Sequence, residues 1–355
     1  VDGEKSLYIN PAGLVSSDLT WEKASTFNIG LDFTMLNQRL DFSFDWYQRT
    51  TSDMLVKVEY PEVLGTTAPP ANKAELRTRG WEVSVKWNDR IGNDFSYDLG
   101  FILSDSQAEI TKYENPSGTL SDYYVGQKIG EIWGYETEGF YQSDTDVQNH
   151  ADQSKLGANW APGDIMYKDL DGNKKINNGS NTLDDHGDLK VIGNTTPRYQ
   201  YGITANMSYK NVYLNVFFQG IGKRDFWPSS QPFWPVATQY YNTQKWFVTD
   251  SWSEDNRDAY FARPIARETK NQQKQTKYLQ DASYCRLKNL TVGYDFPKSW
   301  LSFLHVAKAG VYFSAENLFE FTNVKGAYDP EAAGKNGTMV YPFQRTYSFG
   351  LNVTF

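Results

Sequence analysis

Tyr347-Ser348-Phe349-Gly350-Leu351-Asn352-Val353-Thr354-Phe355 carries a large apolar side chain at every second position, with small polar residues between. A period of two marks a strand with one apolar and one wet face. An aromatic at the end of such a strand suits an outer-membrane barrel, whose interfacial girdles are aromatic. The rest of the chain repeats the pattern. Eight further segments alternate, at 27–33, 40–47, 81–87, 95–104, 199–209, 212–219, 290–296 and 309–315. Their polar faces carry Asp, Glu, Lys, Asn and Gln. A sandwich core also fits behind such strands, so the connections decide between the two.

Short and long connections take turns. The short ones lie at 36–38, 90–93, 210–211 and 297–306, the last with a helical turn expected over 299–304. The long ones lie at 50–74, 111–197, 221–276 and 318–344. Short periplasmic turns and long extracellular loops make this rhythm in an outer-membrane barrel. The expected fold is therefore all-β, a transmembrane antiparallel β-barrel with about nine strands present. An odd number of strands, with the C-terminus in the periplasm, predicts at least one more strand upstream, because bacterial barrels have even counts. Residues 1–355 are thus expected to be the C-terminal portion of one larger barrel domain, with 111–197 and 221–276 as large extracellular loops. No signal peptide opens the chain at Val1-Asp-Gly-Glu4.

Composition agrees. Hydrophobic residues make up 39% of 355 and the mean hydropathy is -0.62, with no run near the roughly 20 apolar residues of a membrane helix. A barrel escapes that test because its strands alternate. Aromatics reach 16%, which suits girdles and also a carbohydrate-binding surface. The net charge of -8 argues against nucleic acid, which needs a basic face. Cys285 is the single cysteine, so no internal disulfide forms, and no base stands near it in sequence to activate it.

Several motifs then resemble one family in order along the chain. Asp18-Leu-Thr-Trp-Glu-Lys23 with Asn28-Ile-Gly-Leu-Asp32, Gly130-Glu-Ile-Trp-Gly-Tyr135, Phe217-Phe-Gln-Gly220, Asp281-Ala-Ser-Tyr-Cys-Arg-Leu-Lys-Asn-Leu290 and Glu316-Asn-Leu-Phe319 resemble passages of SusC/RagA-type TonB-dependent transporters. The resemblance implies a 22-strand barrel with an N-terminal plug, which this chain lacks. It implies a SusD-like surface lipoprotein as partner, TonB acting through the missing region, and dimers of transporter–lipoprotein pairs. The implied function is uptake of oligosaccharides or oligopeptides, with no enzymatic chemistry. The competing expectation from composition is a soluble surface β-sandwich that captures glycan.

Two groups of residues are candidates for a site. Asp169, Asp171, Asn173 and the carbonyl of Lys175 occupy the first, third, fifth and seventh places of an EF-hand-like loop, where alternate oxygens converge on a cation such as Ca²⁺. Lys174 stands where the loop usually needs Gly, and Ser180 where a bidentate Glu is usual. Asp184, Asp185 or Asp188 can replace that Glu. The alternative is an acidic, solvated turn; no other cofactor is expected. The second group is aromatic: Trp133 and Tyr135, then Phe226, Trp227, Phe233, Trp234, Tyr240 and Tyr241. They can meet substrate or partner, or pack on their own loop. Packing, on a partner or on themselves, is the favoured reading. The three histidines, His150, His186 and His305, are scattered, and no CxxC or HExxH occurs, so no catalytic residue is assigned.

Overall fold

A computed structural model describes residues 19–57, 69–230, 232–237, 242–302, 305–326, 328–333 and 343–355. Nine long strands follow one another in one antiparallel sheet, each hydrogen-bonded to the next in sequence. They are β1 (Lys23–Met35), β2 (Leu40–Val56), β3 (Ala71–Ile91), β4 (Phe95–Lys112), β5 (Arg198–Tyr209), β6 (Val212–Lys223), β7 (Tyr284–Asp295), β8 (Lys308–Thr322) and β9 (Thr346–Thr354). All nine expected segments are strands. The sheet is a single layer with β1 and β9 at its two ends, so among the described residues the two packed sheets of a sandwich are not found.

Register explains the alternation. One row runs Phe33, Phe42, Val85, Phe101, Ile203 and Phe218 across six strands. The neighbouring row one residue along runs Thr34, Asp41, Lys86, Gly100 and Thr204. Residues directly opposite share a face, so the sheet has a continuous apolar face and a continuous polar one. The apolar face is bare: Leu31 is 56% exposed, Phe101 38% and Ile203 40%. Bare apolar surface on this scale needs a nonaqueous neighbour. Trp46 and Trp81 pair across β2 and β3 toward one margin. Trp87 and Tyr209 stand toward the other, and Trp81 and Trp87 are about 20 Å apart along β3 at the usual rise per residue.

The polar face carries a recurring pair. Tyr47 faces Gly80, Tyr213 faces Gly293 and Tyr312 faces Gly350, and each ring lies where a β-carbon on the glycine would stand. The glycine lets the ring lie against the wall, a device that pins register. In β7 the alternation breaks between Leu287 and Leu290. Lys288 is the extra residue there, a bulge that restores both faces on either side.

The ends of the strands differ from expectation. β2 reaches Val56 and β3 begins at Ala71, so the connection is shorter than 50–74. β6 reaches Lys223 and β7 begins at Tyr284, which moves the expected loop 221–276 to 224–283. These extensions lack strict alternation: β2 runs through Arg49-Thr50-Thr51-Ser52-Asp53 and then Met54-Leu55-Val56. Backbone pairing continues beyond the apolar band, while alternation, the signal in the sequence, ends with it. The turn expected at 299–304 is a short helix at Lys298–Leu301, and residues 303–304 lie outside the described set.

The hydrophobic core does not lie in the sheet. Its buried members, from Tyr135 and Ile165 to Phe233, Phe261 and Tyr278, come entirely from the two long connections after β4 and β6.

Candidate functional site

The connection 113–197 builds two small antiparallel sheets of two strands each, Glu131–Tyr135 with Leu189–Asn194 and Thr137–Phe140 with Ile165–Tyr167. A helix at Asp144–Asn149 starts on a capping box in which Ser143 and Asp146 exchange bonds. The connection 224–283 contributes a short helix, Lys245–Thr249, and one two-residue pairing, Asp225–Phe226 with Gln280–Asp281. The two pieces share one hydrophobic cluster. Tyr135 N donates to the Lys274 carbonyl at 2.8 Å and Thr276 N returns a bond to the Tyr135 carbonyl at 3.1 Å.

A buried ion cluster clasps the two connections. Asp164 of the first is fully buried, with Arg263 Nε at 2.8 Å and Lys270 Nζ at 2.9 Å, both from the second. Asn271 Nδ2 adds a bond at 2.9 Å. Lys270 Nζ also donates to the carbonyls of Ala158 and Asn159. Burial by itself raises the Asp164 pKa, but the hydrogen bonds from Arg263, Asn271 and Lys270 outweigh it and hold the carboxyl below its ordinary value. A depressed folded-state pKa contributes stability at neutral pH and loses it as pH falls through that value.

The aromatic candidates divide. Phe233 is wholly buried among the rings of Trp234, Trp246, Tyr260, Phe261, Tyr278 and Tyr328, with centroids 4.8 to 6.4 Å away. Tyr135, Phe226 and Trp234 are buried as well. In this structure these four are buried within the loop unit. Burial pushes the Tyr135 and Tyr260 hydroxyls up to about 12, so both are neutral donors at physiological pH. Trp133 and Trp227 are half-buried. Trp133 donates to the Tyr124 hydroxyl at 3.1 Å, and Trp227 lies against Trp234. Tyr240 and Tyr241 lie outside the described residues.

The acidic loop is ordered by its own backbone. Asp169 accepts from the amides of Gly172 and Lys174, Asp171 from Asn173, and Asn173 Oδ1 from Lys175. Lys174 adopts a φ of 61°, so a lysine makes the left-handed turn for which the sequence lacks glycine. Carboxylate oxygens of Asp169, Asp171 and Asp188 lie within 4.8 Å of one another. Asp188, fully buried, is the third acid of that group, and its two oxygens accept from the amides of Leu170 and Asn177. Asp184 and Asp185 are not in that group: Asp185 caps Ser180 instead, through its amide and hydroxyl. The Lys175 carbonyl accepts from the Asn177 side chain at 3.1 Å. The donor set is hard oxygen throughout and fits calcium by chemistry.

The sequence did not point to the charged pairs that tie distant segments, such as Asp164 with Lys270. Asp164 stands out as a charge between Ala161-Pro162-Gly163 and Ile165, but Lys270 is hidden in the polar run 267–274.

Comparison with known proteins places these features. The model of the family described as "TonB dependent receptor-like, beta-barrel" matches residues 5–318. TonB-dependent receptor P3 of Formosa agariphila is 30% identical over 96% of the chain, and TonB-dependent receptor SusC of Bacteroides thetaiotaomicron is 27% identical over 96%. The chain spans 35% and 32% of those relatives' own lengths. Among solved structures, one described as the RagAB peptide transporter superposes with a TM-score of 0.72 at 25% identity, covering 95% of this chain and 36% of that one.

Proposed function

We propose, because this chain belongs to the TonB-dependent receptor-like β-barrel family, that it forms part of the wall and the outer mouth of an outer-membrane importer. The imported solute is an oligosaccharide or an oligopeptide, and a SusD-like lipoprotein closes over the mouth. The observation that carries this reading is the two-faced sheet: a bare apolar face for lipid, a polar face for an aqueous bore. Pairing of every backbone amide within the closed wall is what lets a sheet cross hydrocarbon. The whole protein would be a 22-strand barrel with a plug, energised by TonB, and its C-terminus would lie in the periplasm. The loop unit then stands outside the cell, where a folded body suits a vestibule better than loose loops. The likeness to a structure described as a peptide transporter supports the oligopeptide, while the oligosaccharide and the lipoprotein partner rest on the resemblance of the chain's motifs to SusC/RagA-type transporters. The family is one of receptors and transporters, and no catalytic step is assigned to this chain.

Uptake by cells tests this. Cells carrying the full-length protein should accumulate a labelled oligosaccharide or oligopeptide pool, and lose that uptake when TonB is deleted. Accumulation that persists without TonB, or none with either pool, overturns the importer reading.

The acidic loop is proposed to hold calcium as a structural ion. Asp169, Asp171 and Asp188 would supply carboxylates, and the ion would offset their mutual repulsion. Calcium at a hundred times its dissociation constant should stabilise the loop unit by about 2.7 kcal/mol. Thermal unfolding in calcium and in chelator measures this, and Asp188→Asn should erase the difference. Identical midpoints in calcium and chelator would remove the ion from the account.

A further inference from the structure

We propose that Arg286 and Lys288 form a carboxylate-accepting site on the polar wall, and that the chain's own segment 328–333 fills it here as a strap that an anionic solute displaces. The proposal rests on the importer reading for the source of that solute.

Arg286 stands on the polar face of β7, opposite Gln219 and Glu320, and is fully buried. Its Nη2 lies 2.8 Å from Glu320 and 2.7 Å from Asp329, and its Nη1 lies 2.7 Å from Glu331. Its buried Nε has no acceptor among the described residues. Lys288, brought alongside by the bulge, reaches Glu331 at 3.1 Å. Only Glu320 belongs to the wall. Asp329 and Glu331 arrive from the connection between β8 and β9.

Besides its two acids, the described residues of that connection dock through Phe343, whose ring centre lies 5.1 Å from both Arg286 and Lys288, and through Lys325, whose Nζ lies 4.0 Å from the Tyr260 ring centre. The Lys325 amide donates to Gln280 Oε1 at 2.9 Å, and the Tyr328 hydroxyl bonds with Ser230. The Tyr328 ring packs on Phe226 and Phe233, and Ala332 and Ala333 are buried. With the strap in place, three carboxylates meet two cations. Without it, the wall keeps both cations and one carboxylate. A buried guanidinium stripped of partners is costly, so the undocked wall favours whatever carboxylate comes next. The planar fork of Arg286 selects a carboxylate over a neutral hydroxyl. Asp329 and Glu331 therefore act as an internal stand-in for a uronate or for the terminal carboxylate of a peptide. An arriving anion competes with them, and the strap swings free of the bore as the solute engages.

The test uses the full-length protein in lipid nanodiscs, with Ala332→Cys as the sole cysteine after Cys285→Ser and removal of any others. A charged maleimide reports when the strap lifts. Asp329→Asn combined with Glu331→Gln should speed labelling roughly ten-fold or more, the loss of charge-assisted bonds. D-galacturonate or glycylglycine should speed labelling of the strap with its acids intact; D-galactose, glycylglycine amide and sodium chloride at equal ionic strength should not. Whichever anion acts names the source. Hydrogen exchange of the 328–333 amides in protein lacking the new cysteine gives the same comparison free of any packing effect at Ala332. Labelling and exchange indifferent to the double variant and to both anions overturn the proposal, as does an equal response to the neutral analogues. Strap release without uptake sinks the importer reading alone; uptake with an unmoved strap sinks the strap alone.

Discussion

Phe233→Ala is expected to destabilise the loop unit by about 3–5 kcal/mol, the range for truncating a fully buried phenylalanine. Phe233 is the hub of the aromatic cluster, with six rings around it and no solvent contact. Removing it leaves a cavity walled by rigid rings that cannot collapse to fill it. Because the core lies in the two connections and not in the sheet, the damage should stay local. Hydrogen exchange should quicken at Tyr135, Tyr167 and Tyr278, while migration of the barrel on an unheated gel stays as before. Unchanged exchange at those amides would mean that the cluster does not hold the unit together. Loss of the barrel along with it would mean that loops and wall are one cooperative body.

Phe101→Arg should cost about 2–4 kcal/mol of barrel stability in lipid, the cost of a guanidinium near the bilayer midplane. Phe101 sits on the apolar face in the row between Val85 and Ile203, away from the tryptophans at either margin. Trp87 belongs to a margin: its indole donates to the Tyr97 hydroxyl at 3.2 Å and Arg39 lies over its ring at 5.9 Å. The same change at Trp87 should therefore cost little, since the penalty falls toward zero near an interface. Urea titrations of the refolded protein in vesicles compare the two. Equal costs at Phe101 and Trp87 would show that the apolar face does not meet hydrocarbon.

These two sites also mark what the sequence discloses. Phe101 is legible because lipid on one side and water on the other impose a strict alternation, and a period of two survives in the letters. The nine strands, their order and the short turns all follow from it. Phe233 is visible as an aromatic among aromatics, but whether it packs inward or waits for a solute depends on what folds over it. That cover comes from Trp246, Tyr260, Phe261, Tyr278 and Tyr328, the last of them in a different connection, and no local pattern announces it. The calcium candidates fall between these cases. Their spacing is written in the sequence, and Lys174 shows that a missing glycine need not forbid the turn. Asp188 joins them only because the loop folds back on itself.

The clasp between Asp164 and Lys270 spans two hairpins, and this imposes a schedule on biogenesis. The first connection cannot acquire its buried counterions until β5 and β6 are both installed and the second has been threaded to the same side. Completion of the loop unit therefore waits on the strands that carry its two halves.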